Sequence, residues 1–169
     1  WMYRVIRPLI KRIYQEWPFE IIHAHTTYPC GYAANLLRDR DLPAVKVIHT
    51  IHRTCIIDAP NYNQQCYEKV RTALERADKD VFVSLEGRNL ALKYTEGRCQ
   101  AKSEYITNGV NTEKFQLDEN ERREVESLKS KHEKTWNLVF VGYLNERKGI
   151  KELLPAIANL AAKGKRNLQ

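Results

Sequence analysis

The sequence predicts an α/β fold, a parallel sheet with flanking helices. Short apolar runs alternate along the chain with segments whose apolar residues recur at helical spacing. The runs are apolar at consecutive positions, as in strands buried on both faces, so we expect helices on both sides of the sheet. Right-handed crossovers would bring the carboxyl ends of all strands to one edge, where open α/β sheets bind ligands.

The elements can be assigned in order along the first part of the chain. Predicted strands cover residues 19–24, 44–49, 80–84 and 103–107, and predicted helices cover 3–16, 31–40 and 61–77. Ser84 is suited to cap a further helix after the third strand, with Glu86 in its positive first turn.

The character of the chain changes after Asn108. Residues 111–134 are mostly charged, which predicts a linker with an exposed helix. A strand at 137–141, a turn at 142–147 and a helix at 148–162 should follow. The predicted buried stripe of that helix comprises Ile150, Leu153, Leu154, Ile157 and Leu160. With no strand to pair with, this βα unit is interpreted as the start of a second domain. The predicted division is 1–110, 111–134 and 135–169.

Length, composition and net charge limit the kinds of protein that this chain can be and the partners that it can have. The 169 residues suffice for one ordinary domain, 43% of them are hydrophobic, and no apolar run approaches the roughly 20 residues that span a bilayer. Four cysteines without zinc spacing or an export pattern predict reduced thiols in a cytoplasmic protein. With a net charge of +7, the protein could bind peripherally to the inner face of an anionic membrane. No nucleic-acid partner is expected, because no recognition motif accompanies the charge.

Polar residues follow the predicted strands at the expected ligand edge. Four of the five histidines, His23, His25, His49 and His52, fall at the ends of the first two strands. We interpret His23 and His49 as packed core histidines and His25 and His52 as candidates for ligand contact. No metal or cofactor is expected, since no carboxylate or cysteine completes a ligand set. The other candidates at this edge are Thr26, Thr50, Ser84, Asn108 and Gly109.

A second candidate site lies in the turn before the last predicted helix. Gly142 ends an apolar run, a polar turn that includes Arg147 follows, and Lys148 and Gly149 open the predicted helix. Unpaired N–H groups and the positive dipole end at a helix start, with a lysine beside them, suit a diphosphate. The alternative is that these are ordinary solvated charges, because short basic turns are common.

Five short motifs together resemble glycosyltransferase family 4. They occur in the family's order at residues 21–25 (IIHAH), 47–52 (VIHTIH), 77–84 (ADKDVFVS), 106–111 (ITNGVN, with Phe115) and 138–150 (beginning LVFVG and ending KGI). The resemblance implies a partial glycosyltransferase-B fold with Rossmann-like domains. It implies that an acceptor-binding domain ends near residue 110 and a donor-binding domain begins near 135.

The resemblance also implies an activity and roles for particular residues. The expected reaction moves a sugar from a nucleotide-sugar donor to a glycan, lipid-linked or small-molecule acceptor, with retention of configuration and without a metal. His52 matches the family's histidine near the reacting sugar. Gly142 and Lys148 match the region that binds the donor diphosphate. We expect residues 1–169 alone to be inactive, because other family site segments would precede Trp1 and follow Gln169.

The sequence departs from the family pattern at three positions. Tyr143 stands where arginine is common, Arg53 where glycine is common, and Asn111 where aspartate is usual. The loss of a positive charge at Tyr143 leaves a non-catalytic nucleotide-sugar-binding homologue open as an alternative. A sugar-nucleotide epimerase of the same fold is another.

Overall fold

A computed structural model describes residues 1–52, 54–131 and 138–163. The chain divides into two units, Trp1–Val110 and Asn111–Gln169. The helices of the first unit are α1 (Met2–Glu16), α2 (Tyr32–Arg40), α3 (Gln64–Arg76) and α4 (Leu85–Tyr94). Its strands are β1 (Ile21–His25), β2 (Lys46–Ile51), β3 (Lys79–Phe82) and β4 (Ser103–Tyr105). Short helical turns lie at Thr27–Gly31, Thr54–Asp58, Ala59–Asn61 and Gln100–Lys102.

The strands of the first unit form one parallel sheet. Its four strands lie side by side in the order in which they occur along the chain. The predicted α/β fold with a four-stranded parallel sheet is therefore confirmed. Ser84 caps α4 as expected, since its Oγ accepts a hydrogen bond of 3.1 Å from the Gly87 amide.

The described helices cover one face of the sheet. On that face Ala24, Val47, His49 and Phe82 are all buried. The opposite face, which includes His23, His25, Ile48 and Thr50, is exposed or half-buried among the described residues. The expectation of helices on both sides was wrong for this part of the chain. Strands added in sequence order by crossovers of the same hand place every connecting helix on the same side.

The main core fills the space between the covered face and the helices. It is built from apolar residues of all the layers: Ile51, Cys55, Ile56, Val70, Leu74, Phe82, Ala91 and Cys99. Helix α1 packs against α2 with its Ile6, Ile10 and Ile13 side half-buried. No helix in the described part of the chain is both long and apolar enough to cross a bilayer.

A buried carboxylate ties α1 to the end of α2. Asp41 follows the last residue of α2, and its side chain is only 2% exposed. It accepts hydrogen bonds of 2.9 Å from the Tyr3 hydroxyl and from Nε of Arg7, and Lys11 lies 3.6 Å away. The hydrogen bond from Arg7 is the largest cause that lowers the pKa of the Asp41 carboxyl to about 2.

The second unit contains two longer helices, α5 (Glu119–Lys131) and α6 (Ile150–Ala162), and a short turn at Glu146–Lys148. Helix α5 lies in the charged segment that was predicted to contain an exposed helix, and its described side chains are exposed except for the partly buried Val125. Residues 132–134 of that segment lie outside the described residues.

Two expectations about the second unit were wrong. Residues 138–141 form no strand, and Val139 and Val141 are 85% and 91% exposed. A strand needs a neighbour for its backbone hydrogen bonds, and the described residues of this unit supply none. Asn137 lies outside the described residues. The apolar stripe of α6 is not buried either, because no layer within the described part of this unit covers it.

Replacing Asp41 by Asn should lower the free energy of unfolding at pH 7 by about 1 kcal/mol. The uncharged amide cannot form an ion pair with Arg7, and the half-exposed guanidinium keeps the effect small. A carboxyl with a lowered pKa stabilises the fold above its ordinary pKa near 4, and this stabilisation disappears as the pH falls through about 2. Urea titrations of both proteins at pH 7 and pH 2 measure the difference. Equal stability at pH 7, or an undiminished difference at pH 2, would contradict it.

Candidate functional site

Two histidines meet where β1 and β2 end. His25 is the last residue of β1, and His52 directly follows β2. Nδ1 of His25 and Nε2 of His52 are 3.2 Å apart, within hydrogen-bonding distance. The parallel register places His25 opposite Thr50, so the two strands end together and bring the rings to one edge. The structure thus brings together the two histidines that sequence reasoning selected for ligand contact.

His23 belongs to the same exposed surface. Its Nε2 lies 2.8 Å from the Thr50 hydroxyl, and its ring centre lies 4.8 Å from that of His25. The interpretation of His23 as a core histidine was wrong, because alternation along β1 puts it on the open face with His25. His23, His25, Thr50 and His52 are hereafter called the histidine cluster. Within the described residues, no group of three or more potential ligands has a geometry that could hold a metal ion.

Thr26 begins the loop that leaves β1. Its backbone φ is +83°, a left-handed value that β-branched residues seldom adopt. Its amide donates to the Thr50 carbonyl oxygen at 2.9 Å, and its own carbonyl oxygen accepts from the Gly31 amide at 3.0 Å. These bonds turn the chain sharply beside the histidine cluster. The buried Thr26 Oγ1 has no hydrogen-bond partner among the described residues.

The remaining candidates after β3 and β4 do not join the cluster. Ser84 follows β3 and uses its hydroxyl oxygen to cap α4. Asn108 and Gly109 lie beyond β4 in an exposed segment without regular structure. In the described part of the chain, neither of them hydrogen-bonds to the histidine cluster.

His49 is fully buried, as predicted, and faces a buried aspartate. Its Nδ1 lies 3.1 Å from Oδ1 of Asp80, and both side chains are 0% exposed. The atoms are close enough to attract one another but are not aligned as a hydrogen bond. Sequence reasoning missed Asp80, although an acidic residue at the start of a predicted buried strand is a detectable anomaly.

A lysine partly balances this buried acid. Nζ of Lys102 lies 4.0 Å from Oδ2 of Asp80 and donates hydrogen bonds to the carbonyl oxygens of Glu75 and Ala77 at 2.8 and 2.6 Å. Burial lowers the pKa of Lys102, while the charge of Asp80 opposes that shift. His49, Asp80 and Lys102 therefore form an internal polar cluster on the covered side of the sheet, separate in role from the exposed histidines.

The candidate diphosphate turn is in the second unit. Tyr143 is 82% exposed, and Arg147 and Lys148 are exposed as well. The side chain of Lys148 reaches within 3.9 Å of the place where a Cβ on Gly142 would lie, so the structure brings these two predicted residues together. The short turn that contains Arg147 ends at Lys148, and α6 begins at Ile150 rather than at Lys148 as predicted.

Glycine is required where this turn passes into α6. Gly149 occupies the position before the helix with a left-handed φ of +73°, and no side chain caps the helix start. The Asn145 side chain instead accepts a hydrogen bond of 3.2 Å from the Lys148 amide and orders the turn. The start of α6 therefore offers backbone N–H groups beside a lysine, which is the chemistry that a phosphate needs.

Comparison with known proteins gives the family. The sequence profile of Glycosyltransferase Family 4 matches residues 1–114, about two thirds of the chain. The chain belongs to glycosyltransferase family 4. No curated protein matches the sequence significantly. Membership in glycosyltransferase family 4 assigns a glycosyltransferase-type function, with a sugar donor and an acceptor as its general partners.

Replacing Gly31 by Ala should lower the free energy of unfolding by about 1–3 kcal/mol, the usual cost of overpacking. An added Cβ would lie 2.6 Å from Nε2 of His49, whose ring is fully buried. Gly109→Ala is the matched control, because nothing lies within 4 Å of its added Cβ. Chemical denaturation of the three proteins gives the comparison. Equal losses for the two variants would show that the Gly31–His49 contact is unimportant.

Proposed function

We propose that the protein transfers a sugar from a nucleotide-sugar donor to a glycan, lipid-linked or small-molecule acceptor with retention of configuration. The observation that carries the proposal is the pairing of His25 with His52 at the ligand edge of a family 4 domain. Peripheral contact with an anionic membrane is part of the proposal and is supported by the net charge of +7.

The first unit would supply the groups near the reacting sugar. His52 is the candidate catalytic residue, since an imidazole can donate or accept a hydrogen bond near neutral pH. His25, Thr26 and Thr50 line the same strand ends and offer polar atoms for acceptor hydroxyls. Ser84, Asn108 and Gly109 complete the acceptor-side proposal by their positions after β3 and β4.

The second unit would stabilise the leaving nucleoside diphosphate. The uncapped start of α6 and the ammonium group of Lys148 both favour negative charge, which develops as the bond to the sugar breaks. Gly142, Tyr143, Arg147 and Gly149 shape the turn around Lys148. Positioning and electrostatic stabilisation, rather than a covalent intermediate, would supply the rate enhancement.

A second candidate function is nucleotide-sugar binding without transfer. Tyr143 favours it, because a phenol at this exposed position supplies no positive charge to a diphosphate. Incubating the full-length protein with a panel of sugar nucleotides and acceptors separates the two functions. Formation of a glycoside with the donor's anomeric configuration supports transfer, whereas binding without product supports the second candidate. A changed sugar without an acceptor product would identify an epimerase.

Replacing His52 by Ala should lower kcat about 100-fold, the scale expected when a positioned catalytic group is lost. Initial rates of product formation by the full-length protein measure the effect. Tyr62→Ala serves as the control, because that side chain is 74% exposed and has no proposed role. If His52→Ala retains the kcat of the unaltered protein, the assignment of His52 as catalytic is wrong.

Replacing Lys148 by Ala should weaken nucleoside-diphosphate binding by about 1–3 kcal/mol, the range for a charge-assisted contact. Lys151→Ala removes the same charge nearby but should have less effect, because Lys151 is already paired with Glu146. Tyr143→Arg should tighten binding by restoring a cation. Isothermal titration of the full-length protein compares all three variants. Unchanged affinity after Lys148→Ala would show that the turn is purely structural.

A further inference from the structure

The rings of His25 and His52 lie end to end rather than face to face. Their planes are inclined by only 14°, and their centres are 5.5 Å apart. That separation equals the 3.2 Å between Nδ1 of His25 and Nε2 of His52 plus one centre-to-nitrogen radius for each ring. The two nitrogens therefore lie on the line that joins the ring centres. This is the in-plane direction along which an imidazole N–H points at the lone pair of a second imidazole.

A hydrogen bond between two neutral histidines couples their tautomers, because either ring can be the donor. Of Nδ1 of His25 and Nε2 of His52, one carries the proton and the other presents a lone pair. If Nε2 of a neutral His52 ring donates, its Nδ1 is an acceptor, and if Nε2 accepts, its Nδ1 is a donor. With Nε2 of His52 engaged by His25, Nδ1 is the ring nitrogen left for another partner. In the described part of the chain, Nδ1 of His52 makes no hydrogen bond.

The position of His25 is itself well determined. It is the last residue of β1 and pairs with Thr50 in the parallel ladder. The ring of His23 packs against it at 4.8 Å, and His23 is held in turn by its 2.8 Å contact with the Thr50 hydroxyl. His52, by contrast, lies beyond the end of β2. The ring of His52 is therefore held by the ring of His25, whose own position is fixed by β1 and by His23.

We infer that His25 is a positioning residue: its hydrogen bond to Nε2 of His52 orients that ring, so that Nδ1 of His52 faces the reacting sugar or its acceptor. The inference rests on the proposed function for its consequence in catalysis. The contact between His25 and His52 lies within the first unit, so it can be tested without measuring sugar transfer.

The first test is the ¹⁵N NMR spectrum of the histidine rings in the full-length protein. In the unaltered protein the ¹⁵N chemical shift of Nε2 of His52 should be that of a ring nitrogen hydrogen-bonded to another side chain. His25→Phe keeps a ring but removes the hydrogen bond, so this shift should move. His25→Asn offers a hydrogen-bonding amide near the position of Nδ1 and should move the shift back toward its original value. An identical shift of His52 Nε2 in the unaltered protein and in His25→Phe would overturn the inference.

The second test is a comparison of kcat and KM for the same variants. His25→Phe should lower kcat by about 10- to 100-fold with little change in donor KM, because the misplaced ring of His52 acts in the reaction and not in binding of the donor. His25→Asn should recover most of the loss. A kcat for His25→Phe equal to that of the unaltered protein would overturn the catalytic part. If the unaltered protein transfers no sugar, the proposed function fails, and the NMR spectra alone decide the orienting contact.

Discussion

The handedness of the crossover between successive parallel strands is the constraint on which the first unit depends. Each of the first three strands is followed by a helix that returns the chain to the next position in the sheet, always in the same direction. The carboxyl ends of the strands are thereby collected at one edge, and the helices on one side. Because the strand ends share one edge, Nδ1 of His25 and Nε2 of His52 lie 3.2 Å apart. Because the helices share one side, the sheet face that carries His23 stays open.

Strand alternation then gives the same residue type different roles. On β2, His49 points into the covered side and meets Asp80, while Thr50 points to the open face and meets His23. His52 lies past the end of the strand and contacts His25. His49 thus belongs to the internal polar cluster, whereas His23, His25 and His52 belong to the exposed histidine cluster. The strand decides which, because successive residues point to opposite faces of the sheet.

Much of the first unit could be predicted from the sequence because its main features are local or topological. The strand runs, the helical spacing and the cap at Ser84 each depend on a few neighbouring residues. Parallel order alone was enough to expect His25 and His52 at one edge. The environment of His23 was not accessible in this way, since hydropathy does not reveal which side of a strand receives the helices. Asp80 was missed because its partner His49 comes from another strand.

The second unit was harder to predict because an apolar run is necessary for a strand but not sufficient. The sequence of 138–141 resembles that of the buried strands, yet these residues form no strand in the described part of the chain, and Val139 and Val141 are exposed. Backbone hydrogen bonds with a neighbour, which no local pattern encodes, decide whether such a run becomes a strand. A turn before α6 was predictable, because it depends on short-range contacts such as that of Asn145, although Lys148 lies in this turn and not in the helix as predicted.

The contact between Gly31 and His49 also links the substitutions that these positions can accept. The imidazole fills the volume that any larger residue at position 31 would occupy, so the two positions share one fixed space. A side chain at position 31 is therefore accommodated at lower cost when the residue at position 49 is smaller. A smaller residue at 49 in turn leaves Asp80 buried without its aromatic neighbour. Positions 31, 49 and 80 are therefore coupled, the first two by a shared volume and the last two by a buried polar contact.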